Sequence, residues 1–277
     1  MPQHKERKNS RSSVTAQRST RAAMRYTIVD IETRIDKSLV QAVYFSHDEV
    51  SEADAYTRMQ RRLQEEQGND FFPLSFHIPI SIAVGQVNEE RILTAVETLQ
   101  EQEYREDTLV QAFWQRLERF PGTLVTFNGR NFDLPVLELQ ALKYGCSAPR
   151  YFGGKARNRY AEEGHYDLYD FLTNYGAHRL RGGFNVLAKM IGLPGKTEID
   201  GSMVQALWEE GKLADIHRYC RHDVIQTYFL FLRVELLRGR LTAAHYEQAL
   251  ARTSAFRDAV EAEKKEAAIN AASEEEP

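Results

Sequence analysis

The sequence predicts an α/β fold, a mixed sheet flanked by helices, on three observations. Apolar, β-rich runs fall early in the chain, at residues 26–31, 40–45, 78–87 and 123–127. From residue 135 onward, apolar residues recur at helical spacing, and glycines punctuate the segments. No internal repeat is visible, so a repeat architecture is set aside.

Taken in order, residues 26–31 (YTIVDI) and 40–45 (VQAVYF) read as a strand hairpin across the polar connection 33–38. Residues 51–70 are charged and Gln-rich and read as an exposed helical or loose excursion. Residues 78–87 (IPISIAVGQV) supply a third strand, and Pro79 near its start favours an edge or a strand beginning, because proline has no N–H for a ladder. A helix is predicted over 107–120 from Leu109, Val110, Phe113, Trp114 and Leu117, with Pro121-Gly122 as its stop. Residues 123–127 (TLVTF) form a short buried strand. Helices follow at 135–144, 184–191, 202–210 and 213–237, closed by Gly145, Gly192, Gly211 and Arg238-Gly239.

The chain has 277 residues, 42% hydrophobic and 27% charged, enough for one large domain with appendages. Residues 1–23 carry Lys5, Arg7, Lys8, Arg11, Arg18 and Arg21 among polar residues and read as a disordered basic arm, which leaves Met24 as an alternative start. The folded domain is expected over 24–240, followed by a C-terminal helical extension and acidic tail over 241–277. No apolar run approaches the roughly 20 residues of a membrane span, and the N-terminus lacks a secretory core, so a soluble, cytoplasmic protein without membrane association is expected. The two cysteines, Cys146 and Cys220, lie far apart, which argues against a disulfide framework and a thiolate zinc site. A metal would therefore be held by oxygen or histidine.

Three acidic signals carry the chemistry. Asp30 and Glu32 alternate at the end of the first strand, so both project from one face; the alternative is a solvated strand end. Asp133 closes the turn Asn128-Gly129-Arg130-Asn131-Phe132-Asp133 between a strand and a helix, where α/β proteins place ligands, although it could equally be an ordinary N-cap. Tyr219 and Asp223 stand four residues apart on one helix face amid apolar neighbours, with an exposed surface aspartate as the alternative. In this order the four carboxylates make a hard, oxygen-only site that suits Mg²⁺ or Mn²⁺. Two such ions roughly 4 Å apart activate water and stabilise a leaving oxygen in phosphodiester hydrolysis.

Asp30-Ile31-Glu32-Thr33, Asn131-Phe132-Asp133 and Tyr219-x-x-x-Asp223 resemble the three exonuclease motifs of the DEDD superfamily, in its tyrosine branch. The resemblance is closest to predicted 3′–5′ exonucleases related to the proofreading domain of family B DNA polymerases. Phe127-Asn128-Gly129, Asp167-Leu168-Tyr169-Asp170, Leu193-Pro194-Gly195-Lys196 and Ile199-Asp200-Gly201-Ser202 extend it over roughly residues 26–238. It implies a ribonuclease-H-like fold and a 3′–5′ exonuclease acting on nucleic acid, single-stranded DNA first. It implies Asp30, Glu32, Asp133 and Asp223 as ligands of two Mg²⁺ or Mn²⁺ ions and Tyr219 as the group that orients the attacking water. Asn128, Asn131 and Phe132 are the substrate-binding candidates, and Phe132 could as easily be core. No polymerase domain accompanies the motifs, which puts a proofreading role in doubt.

Other residues read more plainly. His222 lies about 100° round the helix from Asp223 and reads as a packing or surface histidine. Asp167 and Asp170 read as helix caps, and Arg179, Arg181 and Lys196 as cations that could meet phosphate. The net charge of −4 is unusual for a nucleic-acid binder, and an acidic metal site accounts for part of it. An RNA-trimming exonuclease of the same fold and a catalytically inactive nucleic-acid-binding module are the competing readings. A small-molecule phosphatase lacks the histidine-carboxylate cluster it would need.

Overall fold

The computed structural model describes residues 24–119, 122–195, 201–256, 258 and 262. Among them a five-stranded mixed sheet has the order β3-β2-β1-β4-β5, built from β1 (Met24–Ile35), β2 (His77–Asn88), β3 (Leu93–Thr98), β4 (Thr123–Thr126) and β5 (His165–Asp167). The first three strands form an antiparallel meander, while β4 and β5 run parallel to β1. This is the ribonuclease-H-like sheet that the motif resemblance implies.

The helices are α1 (Lys37–Tyr44), α2 (Glu52–Gln67), α3 (Glu106–Arg119), α4 (Asp133–Tyr144), α5 (Pro149–Gly153), α6 (Leu168–Leu172), α7 (Gly183–Met190), α8 (Val204–Glu209), α9 (Leu213–Leu237) and α10 (Ala243–Arg252). The strict alternation of β1 assigns each face its own core. Tyr26 and Ile28 point into a cluster with Val224, Tyr228 and Phe231 of α9. Val29 and Ile31 point the other way, towards Phe113 and Trp114 of α3 and Val136 and Leu137 of α4. With the sheet covered on both faces, α9 is buried on nearly all sides, which explains a 25-residue helix with little amphipathic contrast. Leu241, Tyr246 and Ala249 belong to the same core, so the segment after residue 240 docks on the body through α10.

Residues 40–45 are not the second strand of a hairpin; they lie in helix α1 and its C-cap. Asp36 decides this, because its carboxylate accepts from the Leu39 N–H and from the Ser38 hydroxyl and starts a helix directly after β1. The partner of β1 is instead β2, paired from Met24↔Asn88 to Ile35↔His77. The excursion at 51–70 is helix α2, capped by Ser51, and its face Ala55, Met59 and Leu63 packs with Val40 and Phe72 in a separate small cluster.

Of the two readings of Pro79, the strand beginning holds, since it is the third residue of β2, and the edge does not, since β2 lies between β1 and β3. β3 pairs only with Ala83–Val87, so Pro79 lies past its end and opens no gap in that ladder. On the β1 side the register slips between Glu32↔Ser81 and Thr33↔Pro79, leaving Ile80 as the extra residue of a bulge. β3 (LTAVET) alternates β-branched residues without a continuous apolar run, and β5 is only three residues long. Each takes its extended form from pairing with a neighbour, β3 with β2 and β5 with β4. The basic arm, Pro121, Lys196, Ile199, Asp200 and the acidic tail lie outside the described residues.

Candidate active site

Alternation along β1 sends Asp30 and Glu32 to the same face as Ile28, the face covered by α9. There α9 presents Asp223, and one carboxylate oxygen from each of Asp30, Glu32 and Asp223 lies within 4.8 Å of the others. Asp30 and Asp223 are half-buried, whereas Glu32 is buried. Burial, and then the charges of Asp133, Asp223 and Glu32, raise the pKa of Asp30 well above the ordinary carboxylate range. Carboxylates packed this closely resist ionising together unless a cation joins them. The donor set, three carboxylates converging on one point, fits a hard divalent cation.

Asp133 approaches from the opposite side of β1. It is the first residue of α4 and not its N-cap, which is Phe132. Its Oδ1 instead accepts the Ile31 N–H at 3.1 Å, so the carboxylate is fixed to the strand between Asp30 and Glu32. Asp133 stands outside the group of three but near enough to act on Asp30. Its own pKa is pushed up to about 7, chiefly by burial, with Asp167 and Asp223 adding to it against the Ile31 amide.

Tyr219, one turn before Asp223, is buried beside Ile80 of the bulge and Ile216. Burial first, then the charges of Asp223, Glu32 and Asp30, raise its pKa, and its hydroxyl bonds to Asp223. The phenol is therefore neutral and cannot serve as a general base. Its donated hydrogen goes to Asp223 and its lone pairs are left as acceptors.

The turn 128–133 is held by Asp167, whose Oδ1 and Oδ2 accept from the Asn128 and Arg130 amides at 2.9 and 2.8 Å. Asn128 adopts φ 66°, a left-handed conformation that asparagine tolerates, and its side chain accepts from Asn131 Nδ2 at 2.8 Å. Gly129 is required by space: a Cβ there would meet Thr126 Oγ1 at 2.6 Å. The arrangement leaves Asn131 exposed and Phe132 partly buried, its ring against Phe71 and His77.

Asp167 caps α6 as expected, but Asp170 does not act as a cap. It is buried and ion-paired to Arg159 and Arg130. His222 is buried, so it packs in the core. Arg179 and Arg181 are exposed on the approach to α7. Cys220, which the sequence singles out only by its lack of a partner cysteine, lies fully buried with Sγ 3.3 Å from the Asp30 carbonyl oxygen and 3.6 Å from Asp30 Oδ2. No spacing signal announces that contact; it arises because α9 crosses β1 at this point.

Residues 69–272 match the family described as predicted 3′–5′ exonucleases related to the exonuclease domain of PolB. The chain belongs to this family. The match includes Asp133, Tyr219 and Asp223 and begins after Asp30 and Glu32, so the fold, and not the match, brings the two β1 acids to Asp223. A structure of the family B DNA polymerase from the hyperthermophilic archaeon Pyrobaculum calidifontis is similar at 15% identity with a TM-score of 0.49, covering 77% of this chain and 24% of that one. The chain thus spans less than a quarter of the polymerase. No curated protein matches it. Among the described residues no helix is long and apolar enough to cross a membrane.

Proposed function

We propose that the chain is a metal-dependent 3′–5′ exonuclease that releases nucleoside monophosphates from single-stranded DNA, with its catalytic domain over residues 24–240. The observation that carries this reading is the convergence of Asp30, Glu32 and Asp223 from a strand and a helix far apart in sequence. Those three residues would hold Mg²⁺ or Mn²⁺, and Asp133, fixed through the Ile31 amide, would join them with its remaining oxygen as the fourth ligand. Two bound divalent cations lower the pKa of a water and neutralise charge on the leaving oxygen.

The protein's own part is positional. The Tyr219 hydroxyl, donating to Asp223, accepts a hydrogen bond from the attacking water and aims it at phosphorus. The water oxygen gives up a proton to solvent and forms the new P–O bond, the bond to the 3′-oxygen of the preceding nucleotide breaks, and that oxygen takes up a proton to become the new 3′-hydroxyl end. Asn128 and Asn131, coupled to each other on the turn held by Asp167, present amide groups beside the terminal sugar and phosphate. Family membership and the intact set of four acids and a tyrosine favour catalysis over an inactive binding module.

A single strand labelled at its 5′ end, offered as DNA and as RNA with Mn²⁺, Mg²⁺ or EDTA, tests the reading. A ladder shortening from the 3′ end, abolished by EDTA, is the expected result. Faster trimming of RNA would assign the same chemistry to the other backbone. Absence of hydrolysis with either cation would overturn the enzymatic reading.

A further inference from the structure

Phe71 and Phe72 are consecutive and lead opposite lives. Phe72 is buried and stacks on Tyr56 with ring centroids 5.1 Å apart and planes 2° apart. Phe71 is 53% exposed, a large apolar ring left in water beside Asn69 and Asp70, which are exposed too. Its position is nonetheless defined. Its N–H donates to the Asn69 side chain, and its ring leans on His77 at 5.2 Å and on Phe132 at 5.8 Å.

The two rings behind it lead to the carboxylate site through its sequence neighbours. Phe132 immediately precedes Asp133. His77 Nδ1 lies 2.8 Å from the hydroxyl of Thr33, the residue after Glu32. His77 Nε2 lies 3.1 Å from the Phe72 carbonyl, which can only accept, so Nε2 carries the hydrogen and the Thr33 hydroxyl donates to Nδ1. With both nitrogens occupied, the imidazole acts here as a neutral plate packed edge-on to Phe132 at 88°.

We propose that Phe71, braced by Phe132 and His77, is the stacking platform on which an unpaired base of the substrate's 3′-terminal segment rests. This inference rests on the exonuclease reading and adds a substrate-positioning residue to it. A single aromatic ring in polar surroundings matches the size of one base; a protein partner would need a broad apolar surface. Every base has a π-face, so the platform is sequence-tolerant. It demands a base free of its pairing partner, which gives a physical reason for preferring single strands.

The test uses the full chain and two single-stranded oligonucleotides, one with all bases and one with its last two 3′ residues abasic. Phe71→Ala should raise KM for the intact strand about 10- to 100-fold while kcat changes by less than about threefold, and Phe71→Tyr should restore KM. For the wild type, the abasic ending should raise KM by a similar factor, and it should add little to Phe71→Ala. An unchanged KM in Phe71→Ala, or equal penalties for the variant on intact and abasic strands, would overturn the platform while leaving the exonuclease reading in place. A wild type that hydrolyses neither strand would instead overturn the reading beneath it. In that event anisotropy of the labelled intact strand, bound in EDTA, still decides the platform: Phe71→Ala must weaken binding about 10-fold or more, or the platform fails.

Discussion

Asp30 and Asp167 are aspartates on two strands of one sheet, both acting within reach of the turn 128–133, yet their surroundings are opposite. Asp167 accepts from the amides of Asn128, Arg130 and Tyr169, and Asp170 beside it is paired to two arginines. Asp30 faces Asp133, Asp223 and Glu32, and its one notable donor is the Cys220 thiol. A buried carboxylate surrounded by amides and guanidinium groups is already compensated and serves the fold. One surrounded by carboxylates lacks that compensation, which a bound divalent cation would supply. Burial raises the pKa of both carboxyls, and it is the charge of the neighbours that separates them.

The contrast breaks most sharply by deletion. Asp30→Ala is expected to reduce turnover below one thousandth, about 4 kcal/mol or more in activation free energy, while the metal-free variant unfolds at or above the wild-type urea midpoint. Substantial turnover in the folded variant, or a large loss of stability, would erase the distinction. Asp170→Ala should do the reverse. It leaves Arg130, which is largely buried, without its carboxylate and should cost about 3 to 5 kcal/mol of unfolding free energy, read from denaturation midpoints.

Tyr219→Phe sharpens the site's side of the comparison. The ring and its packing against Ile80 and Ile216 persist, but the hydroxyl that faces Asp223 is lost. Turnover should fall roughly 10- to 1000-fold with Mn²⁺ affinity nearly unchanged, in contrast to Asp223→Ala, where affinity itself should drop. Steady-state rates combined with an Mn²⁺ titration separate the two outcomes.

The last effect is spread over a range of pH. Asp133 has a folded pKa of about 7, above its unfolded value near 4, so its stabilising contribution is complete below about pH 4 and lost as pH rises to about 7. Without metal, the wild type should therefore lose stability over that window relative to Asp133→Asn, by at most about 1.4 kcal/mol per pH unit. Parallel pH profiles of the two proteins in EDTA would remove Asp133 from the charged cluster.

Much of the chain was legible because local rules coincide with the fold. Glycines at Gly145 and Gly211 end α4 and α8 as their spacing indicates, and the alternation Asp30, Ile31, Glu32 puts both acids on one face through the pleat of the strand alone. The failures have a common source. Residues 40–45 have strand composition, but the Asp36 cap and the availability of β2 as a partner made them a helix. β3 lacks a continuous apolar run and β5 has only three residues, so both are decided by pairing.

The sequence by itself determined the α/β class, the order of the acidic motifs and the helical spacing of Tyr219 and Asp223, because these depend on periods of two and 3.6 residues that local sterics impose. Tertiary structure alone decided which acids meet. It brought Asp223 within 4.8 Å of β1, tied Asp133 to the Ile31 amide, set the Cys220 thiol against Asp30 and left Phe71 facing water beside Phe132. Those contacts join residues up to 193 positions apart (Asp30 to Asp223), and their electrostatic consequences exist only once the sheet and α9 have been packed together and water has been removed from between them.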